Sequence, residues 1–238
     1  MKAINKSLHM FAIQIRKDGM LILILVAPIL AGVFFKFGIP LIESLLTNHF
    51  DQEAIISPYY GMIDLFLGAI TSYLLSFIAS MTMLDEYDSN LISHYVVTPL
   101  KKSGYLHSRL SIPLIISWGI SILVLMIFSL QKHSIMMIVI LCGLLVLTSL
   151  AYAFITFSFS KNKVEGLAIA KLSGITMMGI IIPYILKSSS QYFFSFLPSF
   201  WIAKFSTEPS IIWFILALAT SIFWIWILYK KFNKKLST

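Results

Sequence analysis

The residues that could do chemistry are few and concentrate in one segment of the sequence. Residues 85–109 begin with an acidic cluster that includes Glu86 and Asp88, continue through a mixed apolar stretch and reach Thr98 and Pro99. Because the residue before a proline avoids the α region and proline suits a first helical turn, one short helix is expected to end here and another to begin. A short exposed helix of this kind suits the binding of a partner. The alternative that the pattern leaves open is an ordinary solvated loop.

Catalytic and metal-binding patterns are missing from the sequence. The five histidines are scattered, and neither His-Glu-x-x-His nor Gly-x-Ser-x-Gly nor a Walker A motif occurs. The single cysteine, Cys142, excludes an internal disulfide. The sequence therefore predicts no catalytic residue, no metal site and no cofactor bound by this chain. Serines within the apolar runs are expected to pack helix against helix.

Charged residues inside the apolar runs form a second group of interest, because a charge near the bilayer centre costs about 3 kcal/mol on insertion scales. Asp64 lies about two helical turns inside the second apolar run and is a candidate for a translocation path, where it would contact a cationic substrate. The alternative is an interfacial aspartate near the headgroups. Lys36 and Lys171 lie near helix ends, so their ammonium groups can extend to the headgroups.

The elements that position these residues follow from a strongly apolar composition. Of 238 residues, 58% are hydrophobic and 12% are charged, whereas soluble domains are about a quarter charged. Such a chain could not cover its surface in water, so the sequence predicts an integral membrane protein and excludes a disordered chain, a secreted disulfide scaffold and a soluble enzyme. The net charge of +8 fits the basic loops of membrane proteins, and no nucleic acid is needed to explain it.

Six apolar stretches are long enough to cross a bilayer, since about 20 helical residues span roughly 30 Å of hydrocarbon. They cover residues 20–42, 58–84, 110–130, 134–157, 167–186 and 211–229. The predicted fold class is therefore all-α: a single transmembrane domain over 1–238 with six transmembrane helices.

The distribution of basic residues predicts the orientation. Thirteen of the 18 lysine and arginine residues lie in the two terminal segments and in the loops after the second and fourth apolar stretches. Cytoplasmic loops collect lysine and arginine, so both termini are expected to be cytoplasmic.

Two further segments have an interfacial character. Over residues 1–18, apolar Ile4, Leu8, Phe11 and Ile15 recur at helical spacing, which predicts an amphipathic helix in the inner headgroup region. A polar tail without regular structure is the alternative. Residues 187–209 are rich in aromatic side chains and too apolar for a water-exposed loop, so an outer re-entrant region is expected there.

Residues 86–105 resemble the coupling-helix loop of ABC-2 type (type V-like) transporter permeases, the membrane subunits of ATP-driven exporters. The pattern of that loop is roughly E-R-E-[RK]-G-T-L-E-x-L-x-[VA]-[TS]-P-[LI]. The residues that match it are, in order, Glu86, Asp88, Asn90, Val97, Thr98 and Pro99. Tyr87 and Ser89 stand where that family has basic residues, so the match is weaker at the acidic end and intact at the Thr-Pro end.

This resemblance implies that transport and ATP hydrolysis are carried out by different polypeptides. ATP and Mg²⁺ would bind to a separate nucleotide-binding ATPase subunit, and the coupling helix would dock into a groove on that subunit. A second permease subunit would complete a homo- or heterodimer in the plasma membrane of a bacterium. ATP-driven closure of the ATPase pair would shift the membrane halves between inward and outward states. The implied function is export of an amphipathic drug, peptide or lipid.

Two other classes of function compete with this interpretation. An ATP-independent channel, scramblase or secondary carrier predicts polar residues that converge at the middle of the membrane. A small intramembrane enzyme predicts paired acids or histidines. The sequence shows few such residues and an exposed basic and acidic segment instead.

Overall fold

The computed structural model describes residues 2–97 and 100–236, and within them the chain is helical and without strands. Six helices are long and apolar enough to cross a membrane, so the chain is a multi-pass membrane protein. The helices, in chain order, are α1 (Lys2–Lys17), α2 (Gly19–Phe50), α3 (Ser57–Asp88), α4 (Leu91–Val97), α5 (Lys101–Phe128), α6 (Ile135–Phe159), α7 (Lys163–Ile185), α8 (Pro198–Thr207) and α9 (Ile211–Lys235).

The transmembrane helices extend beyond the apolar runs that predict them. α2 reaches Phe50 and ends at Asp51, whose φ of 52° places it in the left-handed region. The Glu43 carboxylate accepts hydrogen bonds from the backbone N–H groups of Ile55, Ile56 and Ser57, at 3.0, 2.7 and 3.2 Å. Glu43 therefore binds the turn into α3 from a helical position, and only residues 51–56 separate the two helices.

Two helices form the centre of the bundle. Within their most apolar windows, 67% of residues are buried in α3 and 61% in α6, against 17% in α2 and in α9. α3 packs against α2, α5, α6 and α7, and α6 packs against α9. The outer helices expose apolar side chains such as Leu23 and Leu30 of α2, which suits contact with lipid.

Small residues let the central helices approach closely. Ser76 of α3 donates to Ser149 of α6 at 2.7 Å, and the hydroxyls of Ser72 in α3 and Ser121 in α5 lie 3.1 Å apart. A Cβ on Gly68 would lie 2.9 Å from a methyl group of Leu145. The serines therefore pack helix against helix, as predicted.

The aromatic region 187–209 contains a short 3₁₀ turn, Ser189–Phe194, followed by α8. α8 is almost wholly buried and packs against α9 and against a 3₁₀ stretch of α7, Gly174–Ile180. A Cβ on Gly179 would lie 2.3 Å from the Ser199 Oγ and 2.8 Å from the Phe200 backbone N, so glycine permits this contact. The depth of this region in a bilayer stays a prediction.

Candidate functional site

The segment singled out by the sequence lies at one end of the bundle, which we call the terminal end. It is formed by α1, the last turn of α3, α4, the first turns of α5 and α7, and the last turn of α9. Lys235 of α9 donates to the Phe157 carbonyl of α6 at 2.6 Å, and Lys163 of α7 reaches Asp18, the N-cap residue of α2. All of the acidic residues in the matched motif lie at this end.

A buried ion pair is the centre of the terminal end. Arg109 of α5 and Glu86 of α3 are both 0% exposed. Arg109 Nη2 donates to Glu86 Oε1 at 2.5 Å, and Nε donates to both carboxylate oxygens at 3.0 Å. Tyr105 Oη donates to Glu86 Oε2 at 2.9 Å. The carboxylate thus has several strong donors, which compensates for its removal from water.

The same arginine binds the amphipathic N-terminal helix. Arg109 Nη1 donates to the Ser7 carbonyl at 2.9 Å and to the Ser7 Oγ at 3.1 Å. The Ser7 and Ser108 hydroxyls lie 2.9 Å apart. One guanidinium therefore joins α1, α3 and α5, and its five donors in a fixed plane suit that task better than a lysine ammonium would.

Aromatic rings enclose the guanidinium. Its central carbon lies 5.3 Å from the ring centroid of Phe11 and 5.8 Å from those of Tyr95 and Tyr105, within cation–π range. Tyr95 belongs to α4, so the short helix is held by the same cluster. Burial, and after it the nearby Glu86 charge, raises the pKa of Tyr95 above its usual value of 10.0. We call Ser7, Phe11, Glu86, Tyr95, Tyr105 and Arg109 the arginine junction.

The predicted apolar stripe of the N-terminal helix packs mainly against protein. Phe11 is buried, and Ile4 and Ile15 contact the main core cluster, while Leu8 is half-buried. Lys6, His9 and Arg16 lie on the exposed side. Residues Lys2–Lys17 thus form the helix α1 with the predicted apolar stripe against the bundle, and its place in the inner headgroup region stays a prediction.

The predicted coupling-helix residues divide into buried and exposed groups. Glu86 is completely buried and is occupied by Arg109, so it holds the segment and does not present a carboxylate to a partner. Asp88 is exposed and its Oδ2 accepts from the Lys163 backbone N–H at 2.9 Å, which caps α7. The short helix at this place, α4, is shorter than the matched motif, because residues 86–88 form the end of α3.

The Asn90 position has the backbone that the motif implies. Its φ is 57°, in the left-handed region that glycine and asparagine tolerate best, and it follows the end of α3. Val97 is the last residue of α4. Thr98 and Pro99 lie outside the described residues.

A second charged group lies beside the arginine junction. Lys163 Nζ lies 2.7 Å from Asp18 Oδ2 and 3.8 Å from Asp85 Oδ1. Asp18 Oδ1 also accepts from the Met20 and Leu21 backbone N–H groups at 3.0 and 3.3 Å, which caps α2. The hydrogen bond from Lys163 is the main cause that lowers the pKa of Asp18, although partial burial opposes it.

Asp64 lies at the opposite end of the bundle and binds the hairpin between α5 and α6. Its two oxygens accept from the backbone N–H groups of Leu130 and Gln131 at 2.8 and 2.9 Å, and His133 Nε2 lies 3.4 Å away. The residue is only 2% exposed. Contact with a cationic substrate stays a prediction, and it would require these bonds to open.

Four residues of the arginine junction are not among the predicted site residues: Ser7, Tyr95, Tyr105 and Arg109. The available signal was an arginine at the start of an apolar run, which in a membrane protein calls for an acidic partner. No group of three histidine, cysteine or acidic residues is arranged to hold a metal in the described part of the chain.

The terminal end thus carries a short helix fixed to a transmembrane core, which suits the transfer of force from a bound partner. The sequence from residue 11 to residue 229 matches the family model of the Fluoroquinolones export permease protein Rv2686c-like family. The chain belongs to this family. This family is an ABC-type exporter permease family, so the chain is a transporter permease. No curated protein and no solved structure matches the chain.

Proposed function

We propose that this permease is the ABC-2 type membrane subunit of an ATP-driven exporter that moves an amphipathic drug out of a bacterial cell across the plasma membrane. The family name supports fluoroquinolones as the drug class. In this proposal both termini are cytoplasmic, and a separate ATPase subunit binds ATP and Mg²⁺. A second permease subunit, identical or related, completes the working unit.

The observation that carries the proposal is the arginine junction. α4 is too short to hold a position by itself, because isolated helices of this length are unstable in water. The junction fixes it to α3, the most buried of the six helices that could cross a membrane. A partner that displaces α4 would therefore move α3 and α5 as well, which is the mechanical connection that a coupling helix requires.

The exposed face of α4 is the docking surface in this proposal. Leu91 and His94 are exposed and lie one turn apart on the same face. Asp88 and Asn90 flank them, and the motif residues Val97, Thr98 and Pro99 complete the segment. The Glu86 carboxylate is enclosed by the arginine junction, so Glu86 does not contact the partner. It acts as a positioning residue for α4.

The first experiment measures complex formation. The tagged permease is expressed in its native host, extracted in mild detergent and purified, and the proteins that come with it are identified. We expect the ATPase subunit to co-purify, and the double variant Leu91→Asp/His94→Asp to lose it. Lys132→Asp, an exposed change at the opposite end of the bundle, is the matched control and should retain the ATPase.

The second experiment measures transport in inverted vesicles that contain the complex. Fluoroquinolone uptake should require hydrolysable ATP and should fall in the Leu91→Asp/His94→Asp variant while membrane insertion stays normal. Uptake that persists without nucleotide would contradict the proposal and favour an ATP-independent carrier.

A further inference from the structure

Two adjoining cavities follow the seam between α2, α3 and α7, and neither belongs to the arginine junction. The first, of about 430 Å³, lies at the terminal end and has a polar lining. Its residues that matter here are Gln14, Lys17, Asp18, Asp85 and Lys163. The second, of about 270 Å³, is almost wholly apolar. It is lined by residues that include Ile24, Tyr73, Phe77, Leu167 and Gly174. We call them the polar chamber and the apolar groove.

The groove continues the chamber toward the middle of the bundle. On α3 the lining passes from Asp85 in the chamber to Phe77 in the groove, about two turns deeper. On α7 it passes from Lys163 to Leu167, about one turn deeper. A ligand that filled both would have a polar end at the ends of the spans and an apolar part beside the hydrocarbon.

The chamber is electrically balanced, and two of its charged side chains, Lys17 and Asp85, are exposed. Lys17 and Lys163 offset the charges of Asp18 and Asp85, so a ligand without net charge suits it. Lys163 and Asp18 bind each other at 2.7 Å. Within the described residues, Asp85 has only the 3.8 Å contact with Lys163, and the Lys17 ammonium has no partner.

Two side chains of the chamber are open to a ligand. The Asp85 carboxylate is an exposed hydrogen-bond acceptor, and the Lys17 ammonium is an exposed donor. The chamber therefore presents one group of each charge to a bound molecule.

We propose that the chamber and groove together bind one phospholipid with a zwitterionic, hydrogen-bond-donating head, of the phosphatidylethanolamine type. Its ammonium group donates to Asp85, its phosphate accepts from Lys17, and one acyl chain lies in the groove. A choline head has no N–H to donate. An anionic head brings a negative charge that this balanced chamber does not neutralise.

The test uses the full-length permease, purified in detergent and stripped of lipid. Phosphatidylethanolamine, phosphatidylcholine or phosphatidylglycerol is added, and native mass spectrometry counts the lipid that each sample retains. We expect about tenfold tighter retention of phosphatidylethanolamine than of phosphatidylcholine, the equivalent of about 1.4 kcal/mol. Equal retention of the three lipids would overturn the proposal.

Substitutions of residues that line the polar chamber test whether the lipid binds there. Lys17→Gln and Asp85→Asn should each lower phosphatidylethanolamine retention to the phosphatidylcholine level. Arg16→Gln is the matched control, because Arg16 is the exposed neighbour on α1 that does not line the chamber. Retention that falls as far in Arg16→Gln as in Lys17→Gln would indicate general surface charge and contradict the proposal.

A variant in the groove tests the acyl chain without disturbing the chamber. A Cβ on Gly174 meets no atom within 4 Å, so Gly174→Leu should fit and fill the groove. Gly119→Leu is the control, since Gly119 is equally open and lies on α5, away from the groove. We expect retention to fall several-fold in the first variant alone. Unchanged retention in Gly174→Leu would exclude the groove as the binding site.

Discussion

Each end of α3 carries a buried carboxylate, and the two carboxylates are compensated for their burial by different kinds of partner. Glu86 at the terminal end is paired with a full positive charge, Arg109. Asp64 at the opposite end binds backbone N–H groups of the α5–α6 hairpin. The two residues are 22 positions apart, or about 33 Å along a helix, close to the thickness of the hydrocarbon core. Each carboxylate therefore lies near one boundary of the span.

The two ends of α3 differ in which buried group is left without a partner when one residue is replaced. Removing Arg109 would leave a carboxylate uncompensated in a fully buried site, which is the costly case for ion pairs. Weakening Asp64 would leave backbone donors short of an acceptor at the edge of a hairpin, a smaller penalty. The terminal end is thus stabilised by charges that depend on each other, and the opposite end by neutral donors and close packing.

The largest expected effect comes from Arg109→Ala. It removes the only guanidinium of the arginine junction and should lower the free energy of unfolding by about 3–5 kcal/mol. Thermal unfolding of the purified protein, followed by tryptophan fluorescence, measures this. The double variant Glu86→Leu/Arg109→Met removes both charges and should recover part of the loss. If it is as unstable as Arg109→Ala, the penalty does not arise from an unpaired charge.

Asp64→Asn should have a smaller effect, about 1–3 kcal/mol. An asparagine offers one acceptor oxygen where the aspartate offers two, so one of the two hairpin N–H groups loses its partner. Asp51→Asn is the control, because Asp51 is exposed and asparagine tolerates its left-handed backbone. A loss larger than that of Arg109→Ala would reverse the comparison of the two ends.

Gly179→Ala tests the close packing of α7 against α8 and should cost about 1–3 kcal/mol. The added methyl group would lie 2.8 Å from a backbone nitrogen, which is less able to move than a side chain. Gly174→Ala, in the same 3₁₀ stretch, meets no atom within 4 Å and should leave stability within about 0.5 kcal/mol. Equal melting temperatures for the two variants would show that this packing adjusts freely.

The smallest effect concerns Asp18 and its pH dependence. Its pKa in the folded protein is below the usual value of 3.8, so ionised Asp18 stabilises the fold above that value. The contribution is lost as the pH falls through the lowered pKa. Because the pair with Lys163 is partly exposed, we expect under about 1 kcal/mol. The stability difference between wild type and Asp18→Asn, measured by thermal unfolding, should shrink as the pH falls below about 4. A difference that grows instead would contradict this assignment.

Much of the fold could be predicted from apolar periodicity, because the cost of burying charge in lipid places transmembrane helices wherever about 20 apolar residues follow one another. The helix ends were harder to predict. The first apolar run stops at residue 42, just before the charged Glu43, yet the Glu43 carboxylate binds the Ile55–Ser57 backbone and α2 continues past it. Hydropathy describes how a side chain partitions between water and lipid. It contains no information about a specific hydrogen-bond partner 12 residues away.

The site was predicted only in outline. The resemblance identified the motif, and the left-handed Asn90 agrees with the glycine position of that motif. The enclosure of Glu86 could not be foreseen, because it depends on Ser7, Tyr105 and Arg109 meeting in space. Glu86 is 19 positions from Tyr105 and 23 from Arg109, and Arg109 is 102 positions from Ser7, so these contacts leave no local pattern.

Glu86 and Asp64 fix α3 to neighbouring elements at both of its ends, so this helix can transmit a displacement along its length. Most residues of its apolar centre are buried, so it is expected to tilt as a rigid rod and not to bend. A tilt of about 5° would displace the far end of a rod about 33 Å long by about 3 Å. A push on α4 would therefore reach the α5–α6 hairpin through Asp64 with no intermediate rearrangement, and the hairpin is the natural place for a spectroscopic label that reports motion at the other end.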